Sequence, residues 1–125
     1  MKYQTDLAKA KGLGSAHSGF SHWWLQRLSA VLLLPTGLYL LWQFIALDNL
    51  SAAVMIEWMK SSLNAGVLLV FVLAAAYHGA LGLQVVIEDY VNNKSTMMAL
   101  RTLVYGAMIG LIYFSCFAVF KLLLG

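Results

Sequence analysis

Three long runs of apolar residues, separated by short polar segments, dominate the pattern along the chain. They cover residues 23–47, 61–87 and 99–124. A helix needs roughly 20 apolar residues to cross a bilayer, so each run is long enough to form a transmembrane helix. We therefore predict an all-α membrane protein with three transmembrane helices, built as a single membrane domain, 1–125. A polar segment, 1–22, precedes the first run and is expected to be a cytoplasmic arm.

The composition agrees with this class of protein. Hydrophobic residues make up 62% of the chain and charged residues 10%, with a mean hydropathy of +0.79. Soluble domains average about 45–50% apolar and about 25% charged residues, so no domain outside the lipid is expected. The net charge of +3 does not indicate a nucleic-acid partner, because the basic residues sit at the ends of the apolar runs. Cys116 is the only cysteine and is expected to be a small buried apolar residue, which excludes an internal disulfide.

The distribution of lysine and arginine predicts how the helices cross the membrane. Most basic residues lie in the arm with its junction to the first helix, or in the second loop: Lys2, Lys9, Lys11 and Arg27, then Lys94 and Arg101. The first loop has only Lys60 and the tail only Lys121. Basic loops stay on the cytoplasmic or matrix side, so the amino terminus and second loop are predicted there. The carboxyl terminus is predicted on the opposite side.

The arm also bears on the compartment. It lacks the short apolar core and cleavage site of a signal peptide. It is not the Arg- and Ser-rich sequence of a transit peptide either. We therefore predict a multi-pass protein of a bacterial inner membrane, and favour the mitochondrial inner membrane less.

The second apolar run contains a histidine at membrane depth. At about 100° per residue, His78, Gly82, Val85 and Asp89 share one stripe of a helix. The distance along the helix axis from Asp89 to His78 is about 16 Å. If Asp89 marks the membrane boundary, His78 lies near the middle of a hydrocarbon layer about 30 Å thick. One interpretation is a core histidine bonded to a neighbouring helix. The other is a haem ligand, with Gly82 leaving a flat hollow for the macrocycle and a second subunit supplying any second ligand.

The carboxyl end of the same run carries Glu88, Asp89 and Tyr90. Acids there are disfavoured by the helix dipole, by about 0.3–1 kcal/mol, so a compensating partner or a functional need is expected. Arg27, at the same membrane face, would pair with Asp89 or with a haem propionate, unless both charges simply reach water. Tyr90 would be an interfacial belt residue, or a phenol that donates to a carbonyl-bearing ligand.

These residues carry a resemblance to a known family. The segment HWWLQRLSAVLLLP and the pattern H-x3-G-x6-DY, which ends on Asp89 and Tyr90, resemble the first two helices of succinate dehydrogenase (complex II) cytochrome b membrane anchors. The similarity is to the smaller of that family's two kinds of anchor and covers nearly the whole chain. The resemblance assigns no role to the two histidines of the arm, His17 and His22. They are expected to be surface residues, and a second ligation role stays open.

The resemblance implies a role for each candidate residue. His78 would be an axial ligand of a haem b shared with the sister anchor subunit, and Gly82 would pack on that haem. Tyr90 would donate to a ubiquinone carbonyl, beside the carboxylate of Asp89. Arg27 would lie near the haem propionates and the quinone pocket.

The resemblance also implies partners and a function. The chain would be a non-catalytic anchor that joins a flavoprotein, an iron–sulfur protein and a cytochrome b sister subunit, and passes electrons from succinate to ubiquinone. Two alternatives stay open. One is an anchor of a quinol:fumarate reductase, which uses similar residues in the opposite direction. The other is a cofactor-free membrane scaffold or transporter subunit.

Overall fold

The computed structural model describes residues 17–124, which form four α-helices and no strand. In chain order these are α1 (His17–Ile45), α2 (Ala52–Met59), α3 (Ser62–Tyr90) and α4 (Lys94–Leu124). The three long helices contain apolar spans of 26, 29 and 31 residues, each sufficient to cross a membrane. The predicted all-α fold with three transmembrane helices is therefore confirmed, while its orientation in the membrane stays a prediction.

The helix boundaries differ from the sequence expectation in two places. α1 begins at His17, so residues 17–22 of the expected arm are helical, and the rest of the arm lies outside the described residues. The first loop contains the short helix α2, which the sequence analysis did not predict. Ser51 caps α2, its hydroxyl accepting from the Val54 N–H at 3.5 Å. Eight residues are too few to give a transmembrane signal, which explains the omission.

α3 is the central element of the fold. Both α1 and α4 pack along it, and among the described residues α1 and α4 do not pack against each other. Gly37 of α1 permits a close approach, because a Cβ there would lie 3.3 Å from Phe71 Cε2 on α3. α1 and α4 thus each pack on α3 and not on each other, and at one end a groove lies between them.

A chain of hydrogen bonds joins α1, α2 and α3 at the end of the bundle where α1 ends. The Tyr39 hydroxyl donates to Asn64 Oδ1 at 2.7 Å, and Asn64 Nδ2 donates to the Trp58 carbonyl at 3.0 Å. The Trp58 indole N–H in turn donates to Gln43 Oε1 at 3.4 Å. Trp58 is buried and packs on Phe44, with ring centroids 5.2 Å apart. This network fixes the first loop against the bundle.

Most of the apolar surface faces outward. The most apolar windows of the three spans are only 11%, 17% and 0% buried inside the chain. Buried apolar residues are few and concentrate on α3, where Ala65, Ala74, Ala80 and Leu81 are at most 8% exposed. Small residues there allow helices to approach closely. The rest of the surface is left to lipid and to other subunits.

Candidate functional site

Polar residues of all three long helices lie near one another where α1 begins, α3 ends and α4 begins. His22 and Arg27 belong to the first turns of α1, Glu88 to the last turn of α3 and Arg101 to the second turn of α4. Side chains from all three long helices line one cavity at this end, and side chains of α1 and α3 line another. A cluster of polar residues thus lies at this end of the bundle, with His78 about three turns deeper along α3.

His78 is fixed to α1 through one ring nitrogen. Its Nδ1 lies 3.2 Å from the Gln26 carbonyl oxygen and 3.1 Å from Ser29 Oγ. Ser29 is 4% exposed and donates its own hydroxyl to the same Gln26 carbonyl at 2.9 Å. A carbonyl oxygen can only accept, so the ring proton belongs on Nδ1. In that tautomer Nε2 carries a lone pair and has no partner among the described residues.

A cavity of about 340 Å³ adjoins this imidazole. It is lined by Trp23, Gln26, Arg27, Ala30 and His78 and is open toward the outside of the bundle. Arg27 is exposed, and its guanidinium lies 5.2 Å from the Trp23 ring centroid, a cation–π contact. The structure therefore brings His78 and Arg27 to one cavity. Among the described residues, only α1 and α3 line this cavity.

Gly82 also faces α1. A Cβ at this position would lie 3.7 Å from Gln26 Nε2, an ordinary van der Waals distance. The space beside Gly82 is thus partly filled by the Gln26 side chain, which also lines the His78 cavity. A planar ligand at His78 would have to share this space with a flexible amide side chain.

Asp89 and Tyr90 are the last two residues of α3 and are both exposed, Tyr90 by 82%. Among the described residues no ion pair joins Asp89 to Arg27, and no hydrogen bond joins Asp89 to Tyr90. The ion pair at this end is formed instead by Arg101 Nη1 and Glu88 Oε1, at 3.4 Å. It supplies a compensating charge for the acid at the helix carboxyl end.

The Glu88–Arg101 pair is part of a network that the sequence analysis missed. Gln84 Nε2 donates to Glu88 Oε1 at 2.7 Å, and the Tyr105 hydroxyl donates to Gln84 Oε1. The spacing of Gln84 and Glu88, four residues apart on one helix, was a usable signal. The contribution of Arg101 was not readable from the sequence, because it depends on how α4 packs beside α3.

A second cavity, of about 550 Å³, lies in the groove between α1 and α4, with α3 as its floor. We call it the polar groove; it is lined by His22, Trp23, Gln26, Gln84, Val85, Glu88 and Arg101. The expectation that His22 is a surface residue was wrong for its ring: His22 is half-buried, and its Nε2 is buried without a hydrogen-bond partner. The cause is the early start of α1, which carries His22 into the bundle. The side chain of His17 lies outside the described residues.

The other cavities near α3 and α4 are apolar. One of about 390 Å³ lies between Met59 of α2, Val72 of α3 and Val119 of α4. Among the side chains that the structure describes, residues 20–124, no three His, Cys, Asp or Glu residues are grouped so that they could hold a metal ion.

Comparison with known proteins gives the family. The sequence profile of the family described as succinate dehydrogenase/fumarate reductase transmembrane subunit matches residues 1–120. The succinate dehydrogenase hydrophobic membrane anchor subunit of Rickettsia bellii (strain RML369-C) is 41% identical over 90 residues, 72% of each chain. That of Paracoccus denitrificans is 31% identical over 101 residues, 80% of this chain and 78% of the relative.

A further relative is the succinate dehydrogenase membrane anchor subunit of Reclinomonas americana. It is 35% identical over 82 residues, 63% of this chain and 68% of the relative. The profile match and these relatives agree with the three apolar spans of the structure. The chain therefore belongs to the family of succinate dehydrogenase/fumarate reductase transmembrane subunits, among the membrane anchors of succinate dehydrogenase.

Proposed function

We propose that the chain anchors a succinate:quinone oxidoreductase in a bacterial inner membrane and contributes to a haem b site and a quinone site. It would transfer electrons, while succinate is oxidised at a flavin in another subunit. One observation carries the proposal: the His78 imidazole is fixed through Nδ1 to α1, its Nε2 has no partner among the described residues, and the residue lines an open cavity. Metal-binding histidines commonly have this arrangement, with the second nitrogen bonded to a carbonyl.

The residues around His78 fit a haem. When bound, haem b supplies reversible one-electron transfer. His78 would ligate the iron through Nε2, while the Gln26 carbonyl and Ser29 hold the ring plane and increase the basicity of the ligand. Arg27 would meet a propionate, because a planar guanidinium matches a carboxylate. Gly82 would keep the backbone of α3 close to the macrocycle, with the Gln26 side chain at its edge.

The other half of the haem site would come from the cytochrome b sister subunit. His78 is the only histidine of the chain far from the end of an apolar span. Among the described residues, its cavity is bounded by α1 and α3 alone. The second axial ligand and the second wall would therefore lie on the sister subunit, packed against the exposed apolar faces of α1 and α3.

Tyr90 and Asp89 would belong to the quinone site. The Tyr90 side chain is 82% exposed at the end of α3, so a ligand can reach its hydroxyl. It would donate to a ubiquinone carbonyl beneath the iron–sulfur subunit, with Asp89 and Arg27 near by. Reduction of a quinone adds two electrons and two protons, which suits a site at the aqueous boundary better than one at the depth of His78.

Purification of the tagged chain in mild detergent tests this proposal. We expect a flavoprotein, an iron–sulfur protein and a sister anchor to co-purify, with a b-type visible spectrum. Expressed alone, the chain should lack haem and aggregate, because its spans bury so little surface. A monomeric, haem-containing chain without partners would contradict the shared site, and a complex without a b-type spectrum would support a scaffold instead.

The second candidate function is that of an anchor in a quinol:fumarate reductase, in which the proposed haem and quinone residues would serve electron transfer from quinol to fumarate. This second candidate has its own support, since the matching family includes the transmembrane subunits of fumarate reductase. Rates of succinate oxidation by quinone and of fumarate reduction by quinol, measured on the same membranes, distinguish the two directions. We expect succinate oxidation to be the faster, because the relatives above carry the succinate dehydrogenase name.

A further inference from the structure

The polar groove is built differently from the His78 cavity. Its walls are His22 on α1 and Arg101 on α4, and its floor is Gln84 and Glu88 on α3. Because α1 and α4 do not pack together among the described residues, the groove opens along the outer surface of the bundle. It lies at the end of all three spans, where lipid headgroups meet the hydrocarbon layer.

His22 lines the groove and has an unsatisfied ring nitrogen. Its Nε2 has less than 1 Å² of accessible surface and no hydrogen-bond partner among the described residues, so a ligand in the groove would reach this nitrogen only after the ring turns. A buried polar nitrogen without a partner destabilises the fold. A ligand group with oxygen acceptors, placed in the groove, would remove this cost.

The charges of the groove have opposite signs. Arg101 and Glu88 approach each other only to 3.4 Å, and their side chains are 40% and 42% exposed. The guanidinium therefore keeps N–H groups for another acceptor. Glu88 is held by Gln84 and keeps carboxylate lone pairs for another donor. A ligand that carries both an anion and an ammonium group complements this arrangement better than a simple anion.

The groove is separate from the proposed quinone residue. Glu88 and Tyr90 are two positions apart, so their side chains leave α3 about 200° apart. Asp89 lies between them, on the side of His78. A ligand in the groove would therefore contact neither the Tyr90 hydroxyl nor His78, and would share only Trp23 and Gln26 with the His78 cavity.

We propose that the polar groove binds the headgroup of phosphatidylethanolamine. The phosphate accepts hydrogen bonds from His22 Nε2 and Arg101, and the ammonium group donates to Glu88. The acyl chains run along the exposed apolar surface toward the middle of the membrane. Trp23, which is half-exposed at the groove, packs against the glycerol region, as interfacial tryptophans do.

The test is native mass spectrometry of the intact purified complex, titrated with phosphatidylethanolamine, phosphatidylcholine or phosphatidylglycerol. The choline headgroup has no N–H and the glycerol headgroup has no cation, so the parent should retain phosphatidylethanolamine best. Arg101→Gln should weaken retention about tenfold, as expected for a lost charge-assisted hydrogen bond. Glu88→Gln should remove the preference over phosphatidylcholine. Lys121→Gln, at the opposite end of α4, is the matched control and should behave as the parent.

Several results would overturn the proposal. Equal retention of the three lipids by the parent complex would overturn it. This comparison needs no variant, so it remains decisive if Arg101→Gln fails to assemble. Equal retention by parent and Arg101→Gln would also contradict it. Displacement of the lipid by inorganic phosphate at millimolar concentration would identify a general anion site. Loss of haem from Arg101→Gln with unchanged lipid binding would assign the groove to the haem.

Discussion

Among the described residues His78 forms hydrogen bonds through Nδ1 alone, and this asymmetry bears on the choice between a core histidine and a haem ligand. A purely structural histidine satisfies both nitrogens, because an unpaired polar atom inside a bilayer is costly. Here the neighbours of Nδ1 are a carbonyl and a buried serine on α1, Nε2 has no hydrogen-bond partner among the described residues, and His78 lines a cavity. This geometry is compatible with a histidine that keeps its proton on Nδ1 and binds a metal through Nε2.

Ser29 is predicted to tune the haem without ligating it. Ser29→Ala removes the hydroxyl 3.1 Å from His78 Nδ1 and leaves the Gln26 carbonyl in place. We expect haem to stay bound with about tenfold lower affinity, the lower end of such outer-shell effects, and with a shifted reduction potential. Redox titration of the b-type spectrum measures this. Ser115→Ala, at the other end of the bundle, is the control. Equal haem reduction potentials in the two variants would show that Ser29 does not influence the haem.

Tyr90 is predicted to act through its hydroxyl. Tyr90→Phe keeps the ring but removes the donor, so quinone reduction should slow by up to about 10²-fold. The expected loss of rate is smaller than for a donor in a fully enclosed site, because Tyr90 is exposed. Succinate oxidation with a soluble artificial acceptor should persist. Tyr113→Phe is the control, since Tyr113 is exposed on α4 and stacks on Phe117. Unchanged quinone reduction would make Tyr90 a belt residue, and loss of both activities would indicate failed assembly.

At the scale of the helices, the fold depends on how closely α1 and α4 approach α3. Van der Waals packing and small residues drive helix association in lipid, where burial of apolar surface gains little. Gly37 meets Phe71 at the α1–α3 contact, whereas Gly66, Gly79 and Gly106 face open space. The open glycines are available to other subunits.

Gly37→Ala is predicted to loosen the α1–α3 contact. The added methyl would lie 3.3 Å from Phe71 Cε2, so the ring must shift by a few tenths of an ångström. Such overpacking costs about 1 kcal/mol or more, and the assembled complex should lose its subunits at a lower temperature. Gly106→Ala, with nothing within 4 Å, should dissociate as the parent does. Equal dissociation temperatures for the two variants would show that the contact can adapt.

The three spans were predictable from the sequence because the length and apolarity of a segment can be read from that segment alone, without knowing how it packs. α2 was not, since an eight-residue helix gives no comparable signal and is fixed by Trp58 and Asn64 through tertiary contacts. His78 was recognisable from its depth in the span. The burial of His22 and the Glu88–Arg101 pair were not, because both depend on α1 and α4 lying on either side of α3.

The molecule as a whole is incomplete without partners. Its spans bury at most 17% of their most apolar window, and the His78 cavity is lined only by α1 and α3 among the described residues. The polar end presents Tyr90 and Asp89 outward, where the proposed function expects the iron–sulfur subunit to dock. These features agree with a family of transmembrane subunits, and they favour a position for the sister anchor against α1 and α3.

The most direct test of this account is the visible spectrum of the complex carrying His78→Ala. We predict that the b-type spectrum is lost or clearly altered, with a substitute such as water or His22 supporting only partial occupancy. Added imidazole should restore part of the parent spectrum by filling the space of the missing ring. Subunit stoichiometry, measured on the same preparation, separates ligand loss from failed assembly. An unaltered b-type spectrum in a fully assembled His78→Ala complex would contradict the assignment of His78 as the ligand.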